Sequence, residues 1–296
     1  MNLKGWVIAP AVARLSEEVF MAVLTIAREL GAIVRGEELT LCNSLKLHCV
    51  SKATLEKRFA ELGIERDFLA KFDECKPGIV SSMTNSAEYY WETLRTAILQ
   101  ELLQDDIAVI GRGGNFLLSG MVECLRVRLI APEDFRIGQV AKEYSISDHE
   151  AAKMVRQSDS AREKFCDYYY GKSWRDPQNY DLVINMETIS MEELAELLYP
   201  LLPSTHSDTC KAELQLVLQS QIIKHTLFAV KELQLHFPEV VCDESGTVTL
   251  RGTVPSAAAS RHAEEIVSKL PGVNAVNNEL TVVLRDVANR IPPFMH

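Results

Sequence analysis

A short apolar segment that runs directly into a glycine-rich turn is the feature of this sequence that most limits its fold. Ile107–Ile110 is long enough for a buried strand, and Gly111-Arg112-Gly113-Gly114-Asn115 follows it. A strand that ends in such a turn can direct backbone amides and a guanidinium at one point, which is a geometry that binds phosphate. The same residues also fit an ordinary tight turn with a solvated Arg112, because short glycine patterns are common.

The chain beyond this turn alternates between predicted strands and predicted helices. Leu125–Ile130 is a second apolar strand, and Pro132 followed by two acidic residues indicates the first turn of a helix. A third strand is predicted within Tyr180–Asn185. This alternation predicts an α/β domain in which a parallel sheet lies between layers of helices.

Capping residues and apolar periodicity predict the helices of this unit. Ser147 and Glu150 have the spacing of a capping box for a helix that runs to about Tyr169, and Ser190 begins a closing helix. Upstream, a long helix is predicted from Ala87 to Gln104. Its apolar face consists of Tyr90, Leu94, Ala97, Ile98 and Leu102.

Together these segments resemble the cytidylate kinase-like branch of the P-loop nucleoside monophosphate kinases. The resemblance is carried by the glycine turn, Ala131-Pro132, the Arg156–Tyr170 segment with its tyrosine run, Gly171-Lys172-Ser173-Trp174 and Asn179–Asn185. It covers residues 100–200 well and extends more loosely to the N-terminus. It implies a three-layer P-loop kinase-like domain that moves a phosphoryl group from ATP, with Mg²⁺, to a nucleoside monophosphate.

The resemblance also implies roles for individual residues. Nucleotide or phosphate binding is implied for Arg112, Gly113, Gly114 and Asn115, and a catalytic role for Arg156 and Arg162 on a mobile lid helix. An alternative for the lid residues is a surface ladder of ion pairs, because Arg156, Asp159 and Arg162 are spaced three residues apart. The tyrosine run and Trp174 are interpreted as packing residues.

The N-terminal region is where the pattern departs from the family. We predict a first strand over Trp6–Val12 and an amphipathic helix from Ser16 to Gly31, so that the phosphate loop would span residues 9–18. This stretch contains no glycine and carries adjacent acids at Glu17 and Glu18. Arg14 and Ser16 are its candidate phosphate-binding residues. The predicted cradle for a triphosphate is therefore degenerate.

The C-terminal third changes in character after a polar, proline-marked linker. The predicted division is a kinase-like domain over 1–203, a linker over 204–211, a second domain over 212–285 and a tail over 286–296. A helix, a hairpin, a second helix and a last strand are predicted within 212–285, and this succession resembles a BON domain. That family implies interaction, through a protein partner or self-association, with membrane binding unlikely.

Composition narrows the functional classes further. The net charge of −10 at pH 7 disfavours nucleic acid as a partner, since binding to it needs a basic face. The seven cysteines are scattered, without Cys-x-x-Cys spacing, so neither a disulfide framework nor a metal site is expected. No secretory leader or long apolar run is recognisable, which predicts a cytoplasmic protein.

Two functions remain open from sequence. One is a nucleoside monophosphate kinase, or a descendant in which phosphotransfer is weak or lost. The other is a noncatalytic nucleotide-sensing regulator whose BON-like domain contacts a partner. The family resemblance favours the first, and the absence of glycine from residues 9–18 favours the second.

Overall fold

The computed structural model describes residues 20–62, 64, 84–103, 106–203, 205–206 and 208–283. The strands of these residues are β1 Phe20–Met21, β2 Val23–Arg28, β3 His48–Val50, β4 Ile107–Ile110, β5 Leu125–Ile130, β6 Leu182–Asn185, β7 Thr205–His206, β8 His236–Cys242, β9 Thr247–Val254 and β10 Ala275–Val282. The helices are α1 Glu37–Leu45, α2 Lys52–Glu61, α3 Thr84–Leu102, α4 Gly114–Leu117, α5 Glu133–Tyr144, α6 Asp148–Tyr170, α7 Met191–Leu198, α8 Asp208–Ala229 and α9 Ala257–Val267.

A five-stranded parallel sheet in the order β3-β4-β2-β5-β6 forms the centre of the N-terminal part. Alternate residues of β2 enter different cores, because successive side chains of a strand point to opposite faces. Val23 packs with α2 and α3, whereas Leu24 packs with α1 and α7. Helices thus cover both faces, and the predicted α/β class with a parallel sheet is confirmed.

The strand β2 corrects the predicted N-terminal order. Residues 23–28 were expected within the helix from Ser16 to Gly31, but they form the central strand of the sheet. A parallel strand covered on both faces is apolar throughout, so its pattern does not differ from that of a short buried helix. The predicted strand Trp6–Val12 lies outside the described residues.

Other predicted elements agree with the structure. The face of α3 that was predicted to be apolar is buried, with Tyr90 2% exposed and Leu94, Ala97, Ile98 and Leu102 fully buried. The capping box of α6 is present, since Ser147 Oγ accepts from the Glu150 amide and the Glu150 carboxylate accepts from the Ser147 amide.

The C-terminal part is a separate three-stranded sheet in the order β10-β9-β8. β8 and β9 are antiparallel, and β10 is parallel to β9 because α9 crosses between them. The predicted hairpin, helix and final strand are confirmed.

The helix α8 joins this sheet to the N-terminal part. On its contact with α3, Lys224 Nζ lies 2.5 Å from Glu92 Oε1, and the His225 ring stacks on Tyr89 at 5.0 Å between centroids. Among the helices that the structure describes, none combines the length and the apolar character of a membrane-spanning segment.

Candidate functional site

A cleft of about 580 Å³ opens at the carboxyl ends of β2 and β4. In open parallel sheets, ligands bind at this edge, where the connections from neighbouring strands diverge. Residues of two segments line the cleft: the β2–α1 loop, residues 29–36, and the glycine turn, residues 111–115. The lid helix α6 contributes Ser158, Arg162 and Phe165.

The β2–α1 loop has the glycine spacing of a phosphate loop. Gly31 and Gly36 are separated by four residues, as in the Gly-x-x-x-x-Gly-Lys-Ser/Thr motif. Gly31 adopts φ +82°, and a Cβ there would lie 2.5 Å from the Arg136 carbonyl oxygen. The two residues that follow are Glu37 and Glu38, where the motif has lysine and a hydroxyl residue. The predicted loop at residues 9–18 lies outside the described residues, whereas the loop that lines the cleft follows β2.

Two carboxylates of the chain itself accept hydrogen bonds from amides of this loop. Glu37 Oε2 accepts from the Val34 amide at 2.7 Å, and Glu38 Oε2 accepts from the Gly36 amide at 3.1 Å. Glu38 Oε1 also accepts from Arg28 Nη2 at 3.2 Å. Amides and an arginine at this place are what a phosphate loop offers to the anion of a ligand. Glu37 and Glu38 thus take up donors that the phosphates of a ligand could otherwise use.

The glycine turn is held in shape by an aromatic contact. Gly111, Arg112 and Gly113 adopt φ of 73°, 55° and 65° in succession. The Tyr170 hydroxyl donates to the Arg112 carbonyl at 2.9 Å. A Cβ on Gly113 would lie 2.2 Å from the Tyr170 ring, so only glycine fits beneath this side chain.

Two arginines face the cleft from opposite elements. Arg112 Nη1 donates to the Tyr90 hydroxyl at 3.2 Å, which directs the guanidinium from the glycine turn toward α3. Arg162 projects from α6, stacks over Trp174 at 5.8 Å and donates to the Ser158 hydroxyl. Burial, reinforced by the charge of Arg28, lowers the pKa of Arg162 to about 10.

Behind the cleft, a network of buried ion pairs fixes the lid helix to the sheet. Arg136 donates to both carboxylate oxygens of Asp159, at 3.2 and 3.1 Å. Glu29 accepts from Arg128 at 2.9 Å, and Arg136 lies 3.3 Å from its other oxygen. Because the neighbouring carboxylates are engaged by these arginines, Asp159 does not form the surface ladder that its spacing suggested.

The other predicted site residues have different positions. Gly113 and Asn115 line the cleft, while Gly114 is buried beneath it against Val109. The side chain of Arg156 is 71% exposed and pairs with Glu133 at 2.9 Å, away from the cleft. Arg14 and Ser16 lie outside the described residues. The functional roles of all these residues remain predictions.

Sequence reasoning missed the contribution of the β2–α1 loop. Arg28, Arg35 and Glu38 line the cleft, and none of them was a candidate. The signal was present, since Gly31 and Gly36 have motif spacing directly after an apolar run. In the part of the chain that the structure describes, no group of three His, Cys, Asp or Glu residues is arranged to hold a metal ion.

Comparisons with known proteins support this arrangement at the level of the family. A model of the cytidylate kinase-like family matches residues 23–188, and a BON domain model matches residues 217–283. The first match begins at β2, which agrees with β2 as the first strand of the domain. A uronate isomerase of Corynebacterium glutamicum is 28% identical over 102 residues, which are 34% of this chain. The matched region spans only 20% of that relative's length.

Solved structures share only low sequence identity with the chain. An uncharacterized protein from Eubacterium ventriosum is 15% identical at a TM-score of 0.47, covering 61% of this chain and 97% of its own. TT1252 from Thermus thermophilus is 14% identical at a TM-score of 0.41, and the match covers 62% of this chain and 97% of that protein. A shikimate kinase from Acinetobacter baumannii is 13% identical at a TM-score of 0.35, and the match covers 61% of this chain and 92% of that protein.

The identification therefore depends on the family models and the fold. The kinase-like match spans more than half of the chain and includes the five-stranded sheet, both cleft loops and the lid helix. The chain belongs to the cytidylate kinase-like family and carries a BON domain in its C-terminal part.

Proposed function

We propose that the cleft binds a nucleoside monophosphate and that phosphotransfer from ATP is weak or absent. Membership of the kinase-like family supports a phosphorylated ligand. Arg112 and Arg162 both line the cleft, the first from the glycine turn and the second from helix α6. A single phosphoryl group between two guanidinium groups would receive charge-assisted hydrogen bonds from both.

The observation that carries this proposal is the charge of Arg162. Among the described residues, no carboxylate lies within 4.0 Å of its guanidinium, because Asp159 and Glu29 pair with Arg136 and Arg128. The lowered pKa of about 10 reflects burial together with the repulsion from Arg28. An anion bound in the cleft would relieve this repulsion. A ligand of negative charge would therefore interact favourably with Arg162.

A magnesium–triphosphate complex does not fit the β2–α1 loop as the chain forms it. The amides of Val34 and Gly36 already bond to carboxylates, and the motif lysine and hydroxyl are replaced by Glu37 and Glu38. Phosphoryl transfer depends on positioning and on neutralising phosphate charge, so these replacements act against it. We therefore assign no catalytic step to this loop.

A noncatalytic nucleotide-sensing regulator is the second candidate, and the α3–α8 contact favours it. Tyr90 on α3 accepts from Arg112 in the cleft, and Glu92, on the same helix, bonds to Lys224 of α8. A ligand that moves Arg112 would act on the helix that carries the BON domain. The BON domain would then contact a protein partner or a second copy of the chain, in a cytoplasmic protein whose domains meet near residues 204–211.

Calorimetric titration with CMP, UMP and AMP tests the proposed binding. The Arg112→Ala variant should bind the preferred monophosphate about 1.5 to 3 kcal/mol more weakly, since a charge-assisted contact is lost. Arg156→Ala, which removes a surface arginine outside the cleft, is the control and should bind like the parent. Equal curves for the parent and Arg112→Ala would remove Arg112 from the site.

Turnover with Mg²⁺ and ATP tests the proposed weakness of phosphotransfer. We expect transfer to CMP to be far slower than the roughly 1 to 100 per second of ordinary kinases. A rate within that range would overturn the proposed weakness of phosphotransfer and would exclude the noncatalytic regulator as well.

A further inference from the structure

The two acidic residues at the start of α1 have more specific contacts than acids at a helix N-terminus need. Glu37 and Glu38 reach backward to the amides of Val34 and Gly36, inside the loop whose glycines have phosphate-loop spacing. The Glu38 side chain is 17% exposed and lines the cleft, where it also bonds to Arg28. Each carboxylate therefore takes a donor that a bound polyphosphate would require.

The first-turn acids of another helix show what the ordinary arrangement is. In α7, Glu193 bonds to the amide and hydroxyl of Ser190 in a capping box, and neither it nor Glu192 lines the cleft. Both helices gain from the favourable interaction of carboxylates with the positive end of the helix dipole. Of these four acids, only Glu38 lines the cleft, beside the loop where a ligand's phosphates would bind.

We propose that Glu37 and Glu38 determine the specificity of the cleft by excluding polyphosphate chains. This inference rests on the proposed binding of a monophosphate at Arg112 and Arg162. A triphosphate would have to displace both carboxylates from the loop amides and would place its own negative charge beside theirs. Juxtaposed like charges at a binding site cost several kcal/mol, which is a way to reject the wrong ligand.

Exclusion of polyphosphates by Glu37 and Glu38 differs from the effect of losing the motif lysine alone. A loop that lacks the lysine but has free amides would still bind a polyphosphate through its backbone. In this chain the amides of Val34 and Gly36 are engaged by carboxylates, and Arg28, which lines the cleft, is held by Glu38 at 3.2 Å. Removing the negative charges should therefore restore binding even though no lysine is added.

The test compares inorganic tripolyphosphate, ATP without Mg²⁺ and CMP on three proteins by calorimetry. They are the parent, Glu37→Gln/Glu38→Gln and the matched control Glu192→Gln/Glu193→Gln, which loses the same charge at the start of α7. We expect the first variant to bind tripolyphosphate and ATP at least about tenfold more tightly than the parent. Its CMP affinity should change little, and the control should resemble the parent throughout.

The outcomes separate this inference from the proposed function. Parent-like tripolyphosphate binding in Glu37→Gln/Glu38→Gln, with CMP still bound, would overturn the inference alone. A parent that binds no monophosphate would overturn the proposed function, whatever the variants do with tripolyphosphate. If thermal denaturation shows that the double variant is unfolded, Glu38→Gln decides the matter, since it keeps the Glu37–Val34 bond and removes the negative charge that pairs with Arg28. Unchanged binding in that folded variant would also overturn the inference.

Discussion

The two loops that enclose the cleft follow neighbouring strands of the same sheet, yet their conformations are maintained by different contacts. The β2–α1 loop is closed by hydrogen bonds from its amides to Glu37 and Glu38. The glycine turn after β4 is held by the ring and hydroxyl of Tyr170, and Arg112 of this turn lines the cleft. In the β2–α1 loop, carboxylates of the chain occupy amides that could bind a ligand. In the glycine turn, the supporting contacts come from Tyr170, which does not line the cleft.

This difference predicts how each loop responds to change. Contacts that lie behind a site can support it without competing with a ligand, and their loss should alter stability and binding together. Contacts inside a site compete with the ligand, and their loss should favour binding. The variants below test this contrast, in order of decreasing expected effect.

Alanine at Gly113 and at Gly36 should give the largest contrast in stability; Gly31 is left out of this comparison because it packs against the Arg136 carbonyl. Gly113→Ala would place a Cβ 2.2 Å from the Tyr170 ring at φ +65°, and we expect it to lower the free energy of unfolding by about 2 to 5 kcal/mol. Gly36→Ala has φ +96° but no neighbour within 4 Å, so it should cost only the backbone strain of about 1 to 2 kcal/mol. Urea denaturation measures both values, and equal losses would remove the contrast.

Replacing Arg162 should weaken binding while the unliganded protein gains stability. Arg162→Met keeps a long side chain against Trp174 but removes a desolvated cation that lies near Arg28. We expect monophosphate binding to weaken by about 1.5 to 3 kcal/mol and the free energy of unfolding to rise by about 1 kcal/mol. Calorimetry and urea denaturation measure the two effects.

Arg128→Met is the matched control for this prediction. Its guanidinium lies over the same Trp174 ring at 4.8 Å but pairs with the buried Glu29. This variant should be destabilised, because it leaves a carboxylate without one of its partners. If Arg162→Met also loses stability, Arg162 is a structural residue and not a ligand-facing one.

Removing one hydroxyl tests the support of the glycine turn with the smallest change. Tyr170→Phe keeps the ring over Gly113 but deletes the hydrogen bond to the Arg112 carbonyl. We expect a loss of about 1 kcal/mol in the free energy of unfolding and a similar weakening of monophosphate binding. Tyr168→Phe is the control, since this side chain is 48% exposed and should tolerate the change. Parent-like binding in Tyr170→Phe would show that the ring alone maintains the turn.

Much of the fold follows from local sequence, but the first strand and the β2–α1 loop do not. Ile107–Ile110 was predictable because a glycine turn ends it immediately. The residues before Arg28 are apolar except for Thr25, a pattern that fits a helix as well as a buried strand, and assigning them to a helix placed the predicted phosphate loop N-terminal to them. The three residues of β3 give too short a pattern to indicate a strand.

The candidate site was partly predictable for a similar reason. Arg112 lies in a motif that is contiguous in sequence, and Arg162 was reached through the family resemblance. The pairing of Glu29 with Arg128 and Arg136 joins residues about a hundred positions apart, and Arg128 is buried in a strand whose alternation suggests an exposed arginine. Only the packed fold shows which charges neutralise one another and which remain for a ligand.

The helix α8 contributes to the hydrophobic cores of both parts of the molecule. It contributes Leu214 to the core beneath α3 and Ile223 and Leu227 to the core of the C-terminal sheet. The BON domain match begins at residue 217, within this helix, so an exchange of modules at that position would join two helical halves in fixed rotation. A foreign BON domain could replace this one only with a helix in the same register, because α8 must fill both cores.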